Sequence, residues 1–390
     1  MSSRLRIFAD KNISYVEAAF ASLGEVAALP SSSLDARAAK EADILLVRST
    51  VKVGAPLLDG SPVRFVATAT IGTDHLDTEY LDAKGIRWAS APGSNAPSVA
   101  QWWASAVLTV AAARAGKLAG LVVGVVGCGN VGSRVEKVAA ALGCTVLRND
   151  PPRARAEGSA GFVSLEELCA RADIVTLHVP LIASGPDRTQ HLFDAARFSG
   201  MRPGAWLVNA SRGAVVDGNA LIAARASGQI GAALLDVFDS EPAVSPALVA
   251  AADLATPHIA GHSLDGKAAG TEMVYRAACE LLGVKPTWNA RRSLPLLEAA
   301  AIALDARALD DEAAALLLLR RFYGIEQDDT SLRTIAASLP IDAERTKVFQ
   351  WNRDGYRIRR EPKGVSIQMT PPRPRALRLL EALGATIRSD

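Results

Sequence analysis

The stretch VVGVVGCGNVGSRV, residues 122–135, limits what this chain can fold into more than any other. An apolar run meets Gly127-x-Gly129-x-x-Gly132, and a helical pattern follows at once. A strand that turns tightly into a helix uses glycine at these three places. Gly127 permits the turn, Gly129 lets the backbone approach a pyrophosphate, and Gly132 lets the helix pack close to the strand. The N–H groups and dipole of the helix N-terminus then favour an anion. A second apolar run, CTVLRN, ends at Asp150, 18 residues beyond Gly132. An acid at that distance accepts hydrogen bonds from ribose hydroxyls and repels a 2′-phosphate. The stretch predicts a dinucleotide-binding α/β domain that favours NAD over NADP, although Arg148 and Arg153 flank the acid.

The rest of the chain alternates in the same way. LRIFAD, EVAALP, ADILLVRST, RFVATAT and IRWASAP read as strands, interleaved with helical SYVEAAFASLG, closed by Gly24, and LDTEYLDAKG. After Asp150 come strands in DIVTLHVP, AWLVNASRG and AALLDVF, a helix in GNALIAARASG, and SLEELCARA with the capping box Ser164 and Glu167. Alternation of this kind implies parallel sheets covered on both faces. The expected fold is α/β: two doubly wound parallel-sheet domains, flavodoxin-like and Rossmann, plus a smaller C-terminal α/β domain. NAPSVAQWWASAVLTVAAARAG reads as a buried helix joining the two lobes, with Pro97 near its start and Gly116 past its end. DGKAAGTEMVYRAACELLG would return the chain to the first lobe. The boundaries expected are 1–96 with 265–284, then 97–264, then 285–390. Within the last, LEAAAIALDARALDDEAAALLLLRRF has helical spacing, GYRIRREPKGVSIQM suggests a hairpin, and RPRALRLLEALG a final helix.

Composition removes several functions. Net charge is +2, so there is no electrostatic case for a nucleic-acid partner. Trp351–Arg378 holds eight Lys/Arg against two acids, which predicts a solvated or subunit-facing surface. The longest apolar helical run, 15 residues before Arg114, is too short for a membrane span. MSSRLRIFADK has no apolar signal core. The four cysteines, at 128, 144, 169 and 279, lack metal-ligand or C-x-x-C spacing. They predict reduced thiols in a cytoplasmic protein.

Chemistry is expected where strands of the second sheet end, because doubly wound sheets bind ligands outside their carboxyl ends. WLVNASRGAVVD places Arg212 there, LLDVFDSEP places Asp236 and Glu241, and LATPHIAG places His258. A histidine can take a hydroxyl proton while hydride leaves the same carbon, and a carboxylate can fix its tautomer. Glu241 is the candidate for that carboxylate. Arg212 suits a substrate carboxylate, and Asp236 the carboxamide edge of a nicotinamide. His258 and His262 also have i,i+4 spacing, which on a helix could bind a metal. Pro257 and Gly261 suit a loop instead, and no third ligand is evident, so no metal is expected.

GVVGCGNVG, NASRGAVVD, DVFDSEP and TPHIAG, in this order, resemble the D-isomer-specific 2-hydroxyacid dehydrogenases over roughly the first 280 residues. The resemblance implies catalytic roles for Arg212, Glu241 and His258 and a nicotinamide-side role for Asp236. It also implies cofactor contacts at Asn130, Val131, Val179, Ala210, Ser211 and Gly261, beside the three glycines and Asp150. A finer similarity is to the branch of that family acting on a phosphorylated four-carbon sugar acid. It rests on RIFADKNISY, ILLVRSTVKV, FVATATIGTDHLD, APGSNA, NDPPRA, DDTSLRTIAASLP and LRLLEALGA. That branch implies substrate contacts at Ser49 and Thr70, and a homodimer through the C-terminal domain. Arg48 supplies a cation for a phosphate, and the loop around Gly93 and Ser94 offers backbone N–H groups to an anion. The sequence departs from the branch at His262 (usually Tyr), Gln101 (usually Glu) and Val179 (usually Thr). His262 can still donate a hydrogen bond to substrate. Two other readings stay open: a dehydrogenase for another hydroxy acid such as 3-phosphoglycerate, or a non-catalytic NAD-sensing corepressor.

Overall fold

The computed structural model describes residues 4–338 and 342–388. It divides into two compact units, residues 1–95 with 262–296, and residues 96–261 with 297–390.

The first unit is built on β1 (Leu5–Asp10), β2 (Gly24–Leu29), β3 (Ile44–Val47), β4 (Phe65–Thr68) and β5 (Arg87–Ala89). All pairs are parallel, in the order β2-β1-β3-β4-β5. β3 (ILLV) and β4 (FVAT) are buried along their whole length, as strands with helices on both faces must be. The helix Leu264–Leu282 packs on one face, where Val274, Tyr275, Ala278 and Cys279 join the core of Ile7, Phe20, Ile44 and Phe65. DGKAAGTEMVYRAACELLG does therefore return the chain to this unit. One local expectation fails. The helix after β1 ends at Phe20, and Gly24 instead starts β2. A Cβ there would lie 2.3 Å from Leu5 O, so adjacent backbone demands the glycine.

The second unit carries β6 (Val122–Val126), β7 (Thr145–Asn149), β8 (Ile174–Leu177), β9 (Ala205–Asn209), β10 (Ile230–Leu235) and β11 (Leu254–Ala255). These too are all parallel, in the order β11-β10-β9-β8-β6-β7. β6 thus lies between β7 and β8, and the chain order reverses there. Beyond β7 the edge is continued by Val163, whose N–H donates to Arg148 O at 2.8 Å and whose C=O accepts from Asn149 Nδ2 at 2.9 Å. The helix Ala96–Ala113 buries Trp102 and Trp103 completely. Truncating either would cost about 3–5 kcal/mol.

The C-terminal region has a sheet of its own, with β12 (Ala301–Asp305), β13 (Ser366–Thr370) and β14 (Thr386–Ile387) in parallel order β12-β13-β14. It shares a core with the second unit: Ala314, Leu318, Tyr323 and Leu379 pack with Val107, Val135 and Val138. Two expectations are corrected here. AIALD, expected to be helical, is strand β12, because pairing with β13 overrides the helix preference of Ala and Leu. GYRIRREPKGVSIQM is not a hairpin; only its end forms a strand, and that strand pairs in parallel with β12. Leu339 and Pro340, the end of DDTSLRTIAASLP, lie outside the described residues. No described helix is long and apolar enough to cross a membrane.

Candidate active site

The glycine turn forms as its sequence demands. Gly127 has φ +86°, and a Cβ on it would sit 2.7 Å from His178 O and 2.8 Å from Val179 Cγ1 at the end of β8. Val179 therefore borders the turn. A Cβ at Gly132 would collide with Gly127 O at 1.9 Å. At Gly129 a Cβ would meet no protein atom within 4 Å. The fold has no need of glycine there, whereas a ligand approaching the backbone does. Asn130 and Val131 lead into the helix Gly132–Ala141.

Asp150 follows β7 and accepts one hydrogen bond on each oxygen, from Cys128 N at 2.8 Å and Arg153 N at 3.1 Å. Acceptor positions for a ribose remain on both. The flanking arginines have other work. Arg148 Nε donates to Gly161 O at 3.1 Å, and Arg153 binds Glu157 through two nitrogens at 2.8 Å. Neither is held ready for a 2′-phosphate. The residues fit NAD. Burial of the Cys128 thiol pushes it up to about 11, so it stays protonated beside the turn. Burial also lowers the His178 imidazole to about 3, and Thr176 Oγ1 lies 2.9 Å from its Nε2. It stays neutral at physiological pH and frames the site without titrating.

The catalytic candidates follow three neighbouring strands that end in register, with Leu235 opposite both Asn209 and Ala255. After β9, buried Asn209 holds the next turn. Its Oδ1 accepts from Ser211 N at 3.0 Å and Ser211 Oγ at 2.8 Å, while its Nδ2 donates to Arg212 O at 3.0 Å. Ala210, Ser211 and Arg212 are thereby set in place. Gly213 lets this turn pass the segment that follows β10, since a Cβ would lie 1.9 Å from Phe238 O.

His258 adopts the left-handed conformation, φ +55°, which is uncommon for a residue with a Cβ. Its N–H donates to Asp236 O at 2.8 Å and to Thr256 O at 2.9 Å. Its Nδ1 lies 2.6 Å from Glu241 Oε2, and Glu241 Oε1 accepts from Phe238 N at 2.8 Å. Nε2 is left as the nitrogen for proton exchange, on a side chain 32% exposed. Burial raises the Glu241 carboxyl, but the charge and hydrogen bond of His258, the Arg353 cation and the Phe238 N–H together carry it below its ordinary value.

Asp236 is 1% exposed and spends its oxygens on the same loop. Oδ1 accepts from Thr256 Oγ1 at 2.6 Å and Ile259 N at 2.8 Å, and Oδ2 from Ala260 N at 2.9 Å. Burial raises this carboxyl, against the lowering by His258 and these three donors. Its evident structural work is to fix the loop that ends at Gly261. Trp102 Nε1 supports the same loop by donating to Thr256 Oγ1 at 2.9 Å. Asn209, Thr256 and Trp102 were not singled out from sequence. Asn209 and Thr256 stand inside the motifs NASRG and TPHIAG, which is the signal that could have found them.

The substrate candidates fall in the first unit. Arg48 and Ser49 follow β3, and Thr70 follows β4 beside them, Val47 and Thr68 being paired. Thr70 Oγ1 lies 2.7 Å from Thr68 Oγ1, which lies 3.1 Å from His75 Nε2. Thr50 Oγ1 donates to Ser31 Oγ at 3.1 Å, which donates to Asp10 Oδ2 at 2.5 Å. Gly93 has φ +82°, and Ser94 N donates to Ala91 O at 3.2 Å. His262 belongs to this unit and His258 to the other. Among the described residues no group of three or more His, Cys, Asp or Glu is placed to hold a metal.

The chain is similar to known proteins. Residues 97–260 match the family described as D-isomer specific 2-hydroxyacid dehydrogenase, NAD binding domain. The chain is 51% identical over 365 residues to erythronate-4-phosphate dehydrogenase from Salinibacter ruber, covering 92% of each. It is 44% identical over 384 residues to the protein of that name from Pseudomonas syringae pv. syringae, covering 98% of this chain and 100% of that one. Among solved structures, the TT0316 protein from Thermus thermophilus is similar, with TM-score 0.60 and 28% identity over 72% of this chain and 98% of that one. D-lactate dehydrogenase from Aquifex aeolicus, complexed with NAD and lactic acid, shares the fold at TM-score 0.59 and 24% identity, over 71% of this chain and 96% of its own.

Proposed function

The chain belongs to the erythronate-4-phosphate dehydrogenases, within the D-isomer specific 2-hydroxyacid dehydrogenase family, and we propose that it oxidises 4-phospho-D-erythronate with NAD. The product would be 2-oxo-3-hydroxy-4-phosphobutanoate, in the biosynthesis of pyridoxal 5′-phosphate. The observation that carries the mechanism is His258 in a left-handed turn with its Nδ1 against Glu241.

NAD, when bound, supplies the hydride acceptor. His258 Nε2 takes the proton of the C2 hydroxyl, and the hydride leaves C2 as the C2–O bond becomes a carbonyl. Glu241 holds the tautomer and balances the imidazolium that forms. Arg212 binds the substrate carboxylate and the nascent keto oxygen with a fork that lysine lacks. Asp236 orders the loop, and its remaining acceptor position serves the carboxamide edge. Asp150 takes the ribose hydroxyls. On the substrate side, Ser49, Thr70 and His262 hold hydroxyls, while Arg48 and the backbone at Gly93 and Ser94 take the phosphate.

The three-domain organisation, a homodimer through the C-terminal domain and a cytoplasmic location belong to the same reading. Support for the dimer comes from large apolar side chains at the surface of that region, Leu317, 41% exposed, and Ile358, 73% exposed. The test is NADH formation from 4-phospho-D-erythronate beside 3-phosphoglycerate and simple 2-hydroxy acids. The phosphoerythronate should give the highest kcat/KM. Preference for 3-phosphoglycerate would overturn the substrate, and no turnover on any of them would favour the corepressor reading.

A further inference from the structure

The loop that carries His258 is held by more than its own sheet. Asp236 grips it from within, through Ile259 N and Ala260 N. Two further grips come from the C-terminal region. Asp329, on the helix Ile325–Ser338, accepts from Ala255 N through Oδ1 at 2.7 Å, just before the loop begins. Arg359 donates to Ala260 O, just after His258, and to Ser98 Oγ, with Ser98 O at 3.3 Å. Ser98 Oγ donates to that same Ala260 carbonyl at 2.8 Å.

Arg359 lies in the basic run that composition assigns to a solvated or subunit-facing surface, yet it is 2% exposed. A buried cation is costly unless its surroundings compensate. Here the compensation is specific. The guanidinium meets the Ala260 and Ser98 carbonyls and lies 4.3 Å from the Tyr323 ring centre. Tyr323 is in turn fixed, its hydroxyl donating to Asp328 Oδ2 at 2.9 Å, and Asp328 also pairs with Arg357. Ala260 is thus held at its N–H by an anion and at its C=O by a cation. A left-handed histidine persists only when its surroundings over-determine it. The surroundings of His258 include these groups from far along the chain.

We propose that Arg359 is a positioning residue for His258, through which the C-terminal region sets the geometry of the acid–base loop. The inference rests on His258 being the acid–base. One nitrogen, Nη2, makes all three contacts, and guanidinium geometry matters because the plane packed against the Tyr323 ring sets where that nitrogen sits.

The test uses the full-length protein with Arg359→Met, Arg359→Lys and Asp329→Asn. Three quantities are read: NAD affinity by calorimetry, hydrogen–deuterium exchange of the peptide spanning 254–262, and kcat with its isotope effect for substrate deuterated at C2. Misplacing a reacting group by an ångström costs on the order of a hundredfold. Arg359→Met should keep NAD affinity within about threefold, speed exchange in the loop, and lower kcat by roughly 30-fold to 100-fold with a larger isotope effect. Arg359→Lys should restore part of kcat, and Asp329→Asn should speed loop exchange with a smaller loss. Folded variants with wild-type loop exchange and kcat overturn the proposal. So does loss of NAD affinity in step with kcat, which marks general destabilisation. If Arg359→Met does not fold, Arg359→Lys and Asp329→Asn decide by the same readouts. If the wild-type protein turns over no hydroxy acid, the functional reading fails, while loop exchange still judges the grip.

Discussion

At the carboxyl edge of the first sheet, threonine and serine hydroxyls are held largely by other side chains; at the carboxyl edge of the second, carboxylates and amides pair with side chains and also hold much backbone. Thr68 meets Thr70 and His75, and Thr50 meets Ser31, which meets Asp10. In the second unit Asp150 binds Cys128 N, Asn209 binds Ser211 N and Arg212 O, Glu241 binds Phe238 N, and Asp236 binds Ile259 N and Ala260 N. Both sheets share the same crossover logic, so topology does not account for the contrast. Hydroxyl pairs can exchange donor and acceptor roles when a ligand arrives. Carboxylates and amides tied to backbone fix loops before any ligand does, which a reaction with strict geometry needs. The first edge is suited to recognition and the second to chemistry.

Substitutions can break that contrast. The largest effect among the binding groups is expected at Arg212: Arg212→Ala should lower kcat/KM about a thousandfold, as loss of a charge-stabilising donor does. Arg212→Lys should recover only a minor part, since lysine lacks the fork. Steady-state kinetics checks both. Asp150→Ala should weaken NAD by roughly tenfold, a loss of about 1.4 kcal/mol, and narrow the preference over NADP. Calorimetry with both cofactors reads this, and unchanged NAD affinity removes Asp150 from the site. The smallest effect concerns pH. The folded Glu241 carboxyl lies below its ordinary value. Its stabilisation is therefore complete above about pH 4.3 and is lost as pH falls through the folded value. Asp236, raised by burial, contributes the opposite slope. Glu241→Gln should flatten the acid side of the Tm–pH curve, and an unchanged curve would mean the His258–Glu241 pair adds no stability.

The two regions were not equally legible in the sequence. The glycine turn was readable because backbone contacts at Gly127 and Gly132 leave no alternative residue. Arg212, Glu241 and His258 were readable as polar groups ending apolar runs. What holds them was not. Asn209 acts through the backbone of the next turn, and Thr256 through the side chains of Asp236 and Trp102, partners that no periodicity reveals. Arg359 read as a surface charge, because isolated Arg residues are seldom buried; the carbonyls of Ser98 and Ala260 that draw it inside are remote in sequence. Strand β12 was missed for a related reason, since AIALD favours a helix until β13 pairs with it.

Single-turnover NADH formation, with the substrate dissociation constant measured beside it, tests the division of roles most directly. It compares one residue from each edge, His258→Ala and Thr70→Val. The account predicts that His258→Ala slows hydride transfer by on the order of a thousandfold with substrate affinity nearly intact. Thr70→Val should weaken substrate by about tenfold, or roughly 1.4 kcal/mol, with the transfer rate nearly intact. The reverse pattern, or a His258→Ala protein that transfers hydride at the wild-type rate, would contradict it.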